Sequence, residues 1–138
     1  MNQTANLHLP QFAASDRIHH DDFNDAFAKI DTAVTNRIKV GSYTGNGAAT
    51  RTIDLGFTPS AVLIVKNNGA MYSDPNVSTI YYTGGLALKN APCTTDRGYT
   101  VFSVVTNGFK VCKASYHSGD EDVSTNESGS TYYYVAFI

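Results

Sequence analysis

The hydrophobic period of this chain changes near residue 40. Before it, Phe23, Phe27, Ile30, Val34 and Ile38 recur every three or four residues, the spacing of one face of a helix. After it, apolar runs are short, rich in Val, Ile, Tyr and Thr, and bounded by Gly, Asn, Asp or Pro. The first pattern predicts one amphipathic helix. Ser15 or Asp16 suits its N-cap, Asp21 and Asp22 its positive end, Arg37 and Lys39 its negative end, and Gly41 its stop. Ahead of it, residues 1–14 read as an extended leader, with Leu7, Leu9 and Phe12 as its apolar contacts around Pro10.

The second pattern predicts about eight strands, near residues 39–43, 50–55, 60–65, 79–82, 85–88, 99–105, 109–114 and 131–137. Turn chemistry separates them at Gly45-Asn46-Gly47, Asn67-Asn68-Gly69, Gly84-Gly85 and Asn107-Gly108, and the last is the strongest hairpin signal. Gly56, Thr58 and Pro59 predict a bend between adjacent strands, and 61–65 reads as a buried strand. Residues 89–98 and 118–130 read as long polar loops. The expected fold is mainly β: an antiparallel β-sandwich of jelly-roll or Ig-like type, preceded by the leader and the helix. The domain division is 1–40 for attachment and oligomerisation and 41–138 for the sandwich.

In the helix, Phe23, Phe27, Ile30 and Val34 follow the a/d steps of a coiled coil, and Arg37 takes the next seam position. About two heptads are marginal alone, so the stripe needs a partner. Self-association and packing on the chain's own sandwich both answer that need.

Composition narrows the function classes. Only 16% of the 138 residues are charged, and the net charge is −2, which gives no reason to expect a nucleic-acid partner. Residues 1–10 lack a signal-peptide pattern, and no apolar run has the length of a membrane span. The expectation is a protein made in a cytoplasm, soluble there, with no membrane partner. Cys93 and Cys112 are too few for a disulfide framework; they read as free thiols or as a single cross-strand bridge.

No catalytic pattern stands out, and the expectation is a non-enzyme without cofactor or metal. His19 and His20 are adjacent and face different sides of a helix, so one chain cannot chelate a metal with both. A ring of three imidazoles about a threefold axis would be a Zn, Ni or Fe site, and a solvated pair is the plainer reading. His8 and His117 lack ligand partners at recognisable spacing. Asp120-Glu121-Asp122 does not match a calcium loop and reads as a solvated acidic loop. Tyrosines are the positive signal for recognition. Tyr72, Tyr81 and Tyr82, with Asp74 and Asn76, form a candidate ligand face suited to sugars, whose C–H faces stack on rings while carboxylates and amides hold hydroxyls. Tyr132 and Tyr134 read as core or interface filling.

Three segments together carry a resemblance: Thr44-Gly45-Asn46-Gly47 followed by Arg51-Thr52-Ile53-Asp54-Leu55-Gly56-Phe57-Thr58-Pro59-Ser60-Ala61-Val62-Leu63-Ile64; Asn107-Gly108-Phe109-Lys110-Val111; and Tyr132-Tyr133-Tyr134-Val135-Ala136-Phe137. This arrangement resembles small β-sandwich modules in tail fibres, baseplates and other virion structural proteins of bacteriophages and prophages. The stretch holding Asp16-Arg17-Ile18, Asp22-Phe23-Asn24 and Phe27-Ala28-Lys29-Ile30-Asp31 is similar to tail or baseplate components. The resemblance thins over 66–98. It implies a homotrimeric short tail-fibre or receptor-binding appendage of the virion. Its Leu7, Leu9 and Phe12 segment would attach to other virion proteins, its helices would lie near the threefold axis, and its sandwiches would touch host-surface glycan. The alternative is a head-decoration, head-fibre or collar protein that attaches through its N-terminus and has no ligand site.

Overall fold

The computed structural model describes residues 2–35, 37–75, 78–116 and 120–138. The chain is mainly β with one helix and divides into two units, Met1–Arg37 and Ile38–Ile138.

In the first unit the leader is not simply extended. Strands β1 (Asn2–Gln3) and β2 (Pro10–Gln11) pair as a small antiparallel hairpin. Thr4 closes it: its N–H donates to the Leu9 carbonyl, and its hydroxyl accepts from the Leu9 N–H at 3.0 Å, with His8 at a positive φ of 52°. Helix α1 spans His20–Thr35 and starts later than Ser15 or Asp16. Asp16 instead closes a turn, its carboxylate accepting from the Ala13 N–H at 2.8 Å. The helix entry belongs to His19, whose N–H donates to the Asp22 carboxylate at 3.2 Å, half of a capping box. Gly41 does not stop the helix, and Ile38 does not extend its stripe. Both lie in a strand, because a sheet ladder captures the backbone from Ile38 onward.

The second unit contains β3 (Ile38–Thr44), β4 (Thr50–Asp54), β5 (Ala61–Lys66), β6 (Tyr72–Ser73), β7 (Ile80–Tyr82), β8 (Gly85–Leu88), β9 (Cys93–Thr94), β10 (Thr100–Val105), β11 (Gly108–Tyr116), β12 (Glu121–Ser124) and β13 (Thr131–Phe137). One sheet has the order β3-β13-β5-β8, antiparallel throughout. The other runs β6-β7-β12-β11-β10-β9, and β4 pairs the first half of β11 where β12 pairs the second. The antiparallel expectation fails where β7 and β12 pair in parallel; the two strands are far apart in sequence, so no tight turn between them imposes an antiparallel direction. Gly56, at φ 79°, and the fully buried Pro59 carry the chain from β4 in one sheet to β5 in the other.

Alternate residues of both sheets meet in one core, an arrangement consistent with a β-sandwich. Val62, Ile64, Tyr132 and Ala136 come from the first sheet, and Phe102, Phe109, Val111 and Val123 from the second. Tyr43 stacks on Tyr132 at 5.1 Å and meets Phe109 edge-on at 5.9 Å; Phe109 meets Tyr134 edge-on at 5.2 Å. Tyr134 lies over Gly41, its cross-strand partner, where a Cβ would collide with the ring. The hairpin at 107–108 is shifted by one residue. Its loop is Thr106-Asn107, with Asn107 at φ 63°, and Gly108 already pairs with Val105. Gly108 is needed for closeness, since a Cβ there would strike the Ile53 carbonyl.

The stretch expected as a polar loop at 118–130 holds strand β12 and a buried polar knot. The Asn126 amide donates to Asn46 Oδ1 at 2.7 Å and to the Ala48 carbonyl at 2.8 Å, which ties down the 45–48 turn. The Thr125 hydroxyl donates to the Val101 carbonyl at 2.9 Å and accepts from the Cys112 N–H at 2.9 Å. Cys93 and Cys112 are free, half-buried thiols.

Candidate functional site

Two kinds of surface stand out, one apolar and one aromatic with carboxylates. The apolar surface has two parts, one in each unit.

In the first unit, α1 has no buried residue. Phe27 and Val34 are 63% and 65% exposed, and Phe23 and Ile30 are also exposed. The leader hairpin engages a different flank. Leu7 lines a groove with Ala28, Lys29, Thr32 and Ala33, and Lys29 Nζ donates to the His8 carbonyl at 3.2 Å. At about 100° per residue, those positions lie away from the line through Phe27, Ile30 and Val34. Phe12 reaches the stripe only at its start, stacking on Phe23 at 5.5 Å. Leu7 and Phe12 are thus engaged by their own helix, and Leu9 is half-buried.

In the second unit, the outward face of the β3-β13-β5-β8 sheet is apolar across its whole width. Register aligns Ile38, Phe137, Ala61 and Leu88 in one row, and Val40, Val135, Leu63 and Leu86 in the next. Tyr133 and Val65 continue it, beside Ser42. Val40 is 71% exposed and Leu86 55%, and these rows carry no charge. Sequence reasoning missed this face, although a signal existed. The unbroken run 61–65 and the apolar residues at both parities of β13 are the mark of a strand covered on both sides. Within the chain only Val62 and Ile64 of β5 are fully buried, while Ala61, Leu63 and Val65 remain partly open.

The aromatic site lies at the β6-β7 edge of the other sheet. Tyr72 and Tyr82 are cross-strand partners, so their rings share a face. With Ile80 and Asp96 they line a cavity of about 260 Å³. Asp96 is held there by the turn in which the Tyr99 N–H donates to Thr95 Oγ1, and its own N–H donates to Tyr82 Oη at 3.4 Å. Tyr81 alternates to the opposite face, opposite Asp122. Asp74 is exposed and does not line the cavity, and Asn76 lies outside the described residues, as does His117. Of the expected ligand face, Tyr72 and Tyr82 come together.

Glu121 corrects the reading of 120–122 as a solvated loop. It begins β12, opposite Ile80 on one side and Tyr116 on the other, and is only 4% exposed. Ladders to both neighbouring strands draw it inward. Its Oε2 has no hydrogen-bond partner among the described residues. Beside it, Tyr116 stacks on Tyr99 at 3.7 Å. Burial pushes the Tyr82 hydroxyl above its ordinary range; the Asp96 N–H partly reverses this, and the Glu121 and Asp96 carboxylates add to the rise. No sequence signal separates Glu121 from its acidic neighbours.

Among the described residues, no three His, Cys, Asp or Glu side chains gather as a metal site. His20 Nε2 sits 2.9 Å from the Asp21 carboxylate at the exposed helix start. Among the described residues, no helix is long and apolar enough to cross a membrane.

A β-rich protein with a helix and an aromatic cavity is thus the class that the geometry defines. The chain belongs to the family described as a domain of unknown function, DUF7483, which matches residues 11–138 and so takes in both the helix and the sheets. No curated protein and no solved structure matches it.

Proposed function

We propose that this protein is a structural component of a phage or prophage virion, a short tail-fibre or receptor-binding appendage that works as a homotrimer. The observation that carries the reading is the pair of uncharged apolar surfaces, the α1 stripe and the outward face of the β3-β13-β5-β8 sheet, left exposed by one chain. Surfaces of this extent on a low-charge module serve association. The resemblance of the 44–64, 107–111 and 132–137 segments to virion β-sandwich modules supplies the biological setting. Within this reading the domain is of jelly-roll or Ig-like type, supported by two sheets sharing one aromatic core, with the parallel β7–β12 pair as an edge elaboration. The N-terminal unit would join other virion proteins, and the Tyr72–Tyr82 cavity would contact host-surface glycan. Three copies of one weak site would then act with avidity. The protein has no catalytic role in this reading.

Solution mass by light scattering tests it, on the full chain and on a chain beginning at Ile38. A trimer that falls to a monomer on shortening assigns assembly to the helix; a trimer in both assigns it to the sheet face. A monomer in both overturns the self-assembling appendage and favours a head-decoration, head-fibre or collar protein that binds a particle as single copies.

A further inference from the structure

The dipeptide Asn-Gly occurs at 46–47, 68–69 and 107–108. Glycine leaves its own amide nitrogen unshielded by a side chain, so each pair can in principle cyclise through attack on the Asn side-chain carbonyl carbon. The fold decides where the two atoms can meet. Asn46 Oδ1 accepts from the fully buried Asn126 amide at 2.7 Å and from the Ala48 N–H at 3.1 Å. The Gly47 N–H donates to the Asn126 carbonyl at 2.9 Å, so nucleophile and target are both tied to one buried residue. Asn107 is fixed through its backbone: its N–H donates to Thr58 Oγ1 at 2.9 Å, and its carbonyl accepts from the Leu55 N–H at 2.8 Å. Gly108 is buried in the β10–β11 ladder. Freeing either pair means opening the sheets or their buried polar knot. Asn68 and Gly69, by contrast, are both exposed, and a Cβ at Gly69 would meet nothing within 4 Å. Their hydrogen bonds stay inside one turn: the Gly69 N–H donates to the Lys66 carbonyl at 2.8 Å, and Asn68 Oδ1 accepts from the Ala70 N–H at 3.0 Å. Water replaces both without disturbing the core, so this tip opens locally at low cost.

We propose that Asn68 is the site at which this chain spontaneously deamidates, and that the fold protects Asn46 and Asn107 from the same reaction. The inference goes beyond the virion reading and does not depend on it. The Gly69 nitrogen gives its proton to hydroxide and bonds to Asn68 Cγ. The bond from Cγ to the side-chain nitrogen then breaks, and ammonia leaves. Water opens the resulting five-membered succinimide at either carbonyl, which yields aspartate or isoaspartate. The net change is amide plus water to carboxylate plus ammonium, with nothing oxidised or reduced. The product adds one negative charge to a chain of net charge −2. Isoaspartate also reroutes the backbone through the β-carbon. Both changes fall on an exposed turn outside the core, so the modified chain keeps its sheets.

The test is incubation of the full chain in mildly alkaline buffer, with and without denaturing urea. Each Asn-Gly peptide is followed by mass spectrometry, and isoaspartate is scored with an isoaspartyl methyltransferase. In the native chain Asn68 is expected to convert about tenfold faster than Asn46 or Asn107, and in urea the three rates should come together. Asn126→Ala removes the partner of Asn46 and is expected to speed conversion there while Asn68 keeps its rate. Asn107 in that variant reports whether the sheets remain folded, and the native-against-urea comparison stands without it. Native rates at Asn46 or Asn107 equal to that at Asn68 overturn the proposal. So does an Asn68 that stays intact in the native chain over the time in which urea converts it.

Discussion

Asn126 shows how a single buried amide can hold a domain end. Its side chain bonds Asn46 and Ala48, and its Oδ1 accepts from the Asn46 N–H at 3.2 Å. Asn126→Ala leaves those groups unpaired in a shielded place, and the expected loss is about 2–4 kcal/mol of unfolding free energy by urea titration. Gly41→Ala drives a methyl into the Tyr134 ring, and a loss of about 1–3 kcal/mol is expected in the same assay. Tyrosine ionisation sets the alkaline limit. Burial raises the Tyr43 hydroxyl far above its ordinary range and raises Tyr132 as well, while Tyr43 donates to the Thr125 carbonyl at 2.7 Å. Below the unfolded value, near pH 10, both states hold the proton and the contribution is complete. Above it the unfolded chain loses protons that the folded chain keeps, so stability falls as pH rises. Cys93 and Cys112, also raised by burial, begin the same loss about one pH unit earlier. Thermal melts between pH 7 and 11 should show a midpoint that declines from about pH 8.5 and steepens past 10; a flat profile would contradict the buried-hydroxyl account.

Elements differ in how openly the chain declares them. The β8 and β13 ranges match the alternation of their residues, and β3, β4, β5 and β10 differ from it only at their ends. These strands carry enough Val, Ile and Tyr to announce a period of two. β6, β9 and β12 escaped because they are short, polar and made by their neighbours. Tyr72-Ser73 and Cys93-Thr94 have no period to read, and Glu121 to Ser124 is a strand only because β11 and β7 flank it. The same holds for the candidate site. Tyr72 and Tyr82 were visible as aromatics, but Asp96 joins them through the turn between Thr95 and Tyr99, and Glu121 comes beside Ile80 through register alone. At the other end, the α1 stripe was legible as a seam, although its covering is not. Phe27→Asp with Val34→Asp alters two exposed positions, so the helix signal in circular dichroism should hold while any helix-driven trimer dissociates, read as solution mass.

On the scale of the whole molecule, the outward sheet face has the larger consequence for behaviour in solution. Val40→Lys with Leu86→Lys places two cations among uncharged rows without touching the core. If that face joins copies, the double variant should lose assembly yet keep its unfolding midpoint at low concentration. If the face is idle, mass and midpoint should both be unchanged.

The ladder between β3 and β13 joins the two ends of the β-rich unit, with Ile38 opposite Phe137. That registry closes a span of about a hundred residues, and β13 lies between β3 and β5, so the complete four-stranded sheet forms late and by long-range encounter. Folding should be slow for a domain of this size, on the millisecond-to-second scale, with the apolar β5–β8 pair waiting with an open edge until β13 arrives. The hazard of aggregation is therefore greatest before the native state exists, when crowded synthesis of many copies brings those waiting strands together. Yield from overexpression should consequently depend on the rate of synthesis more than on the stability of the finished fold.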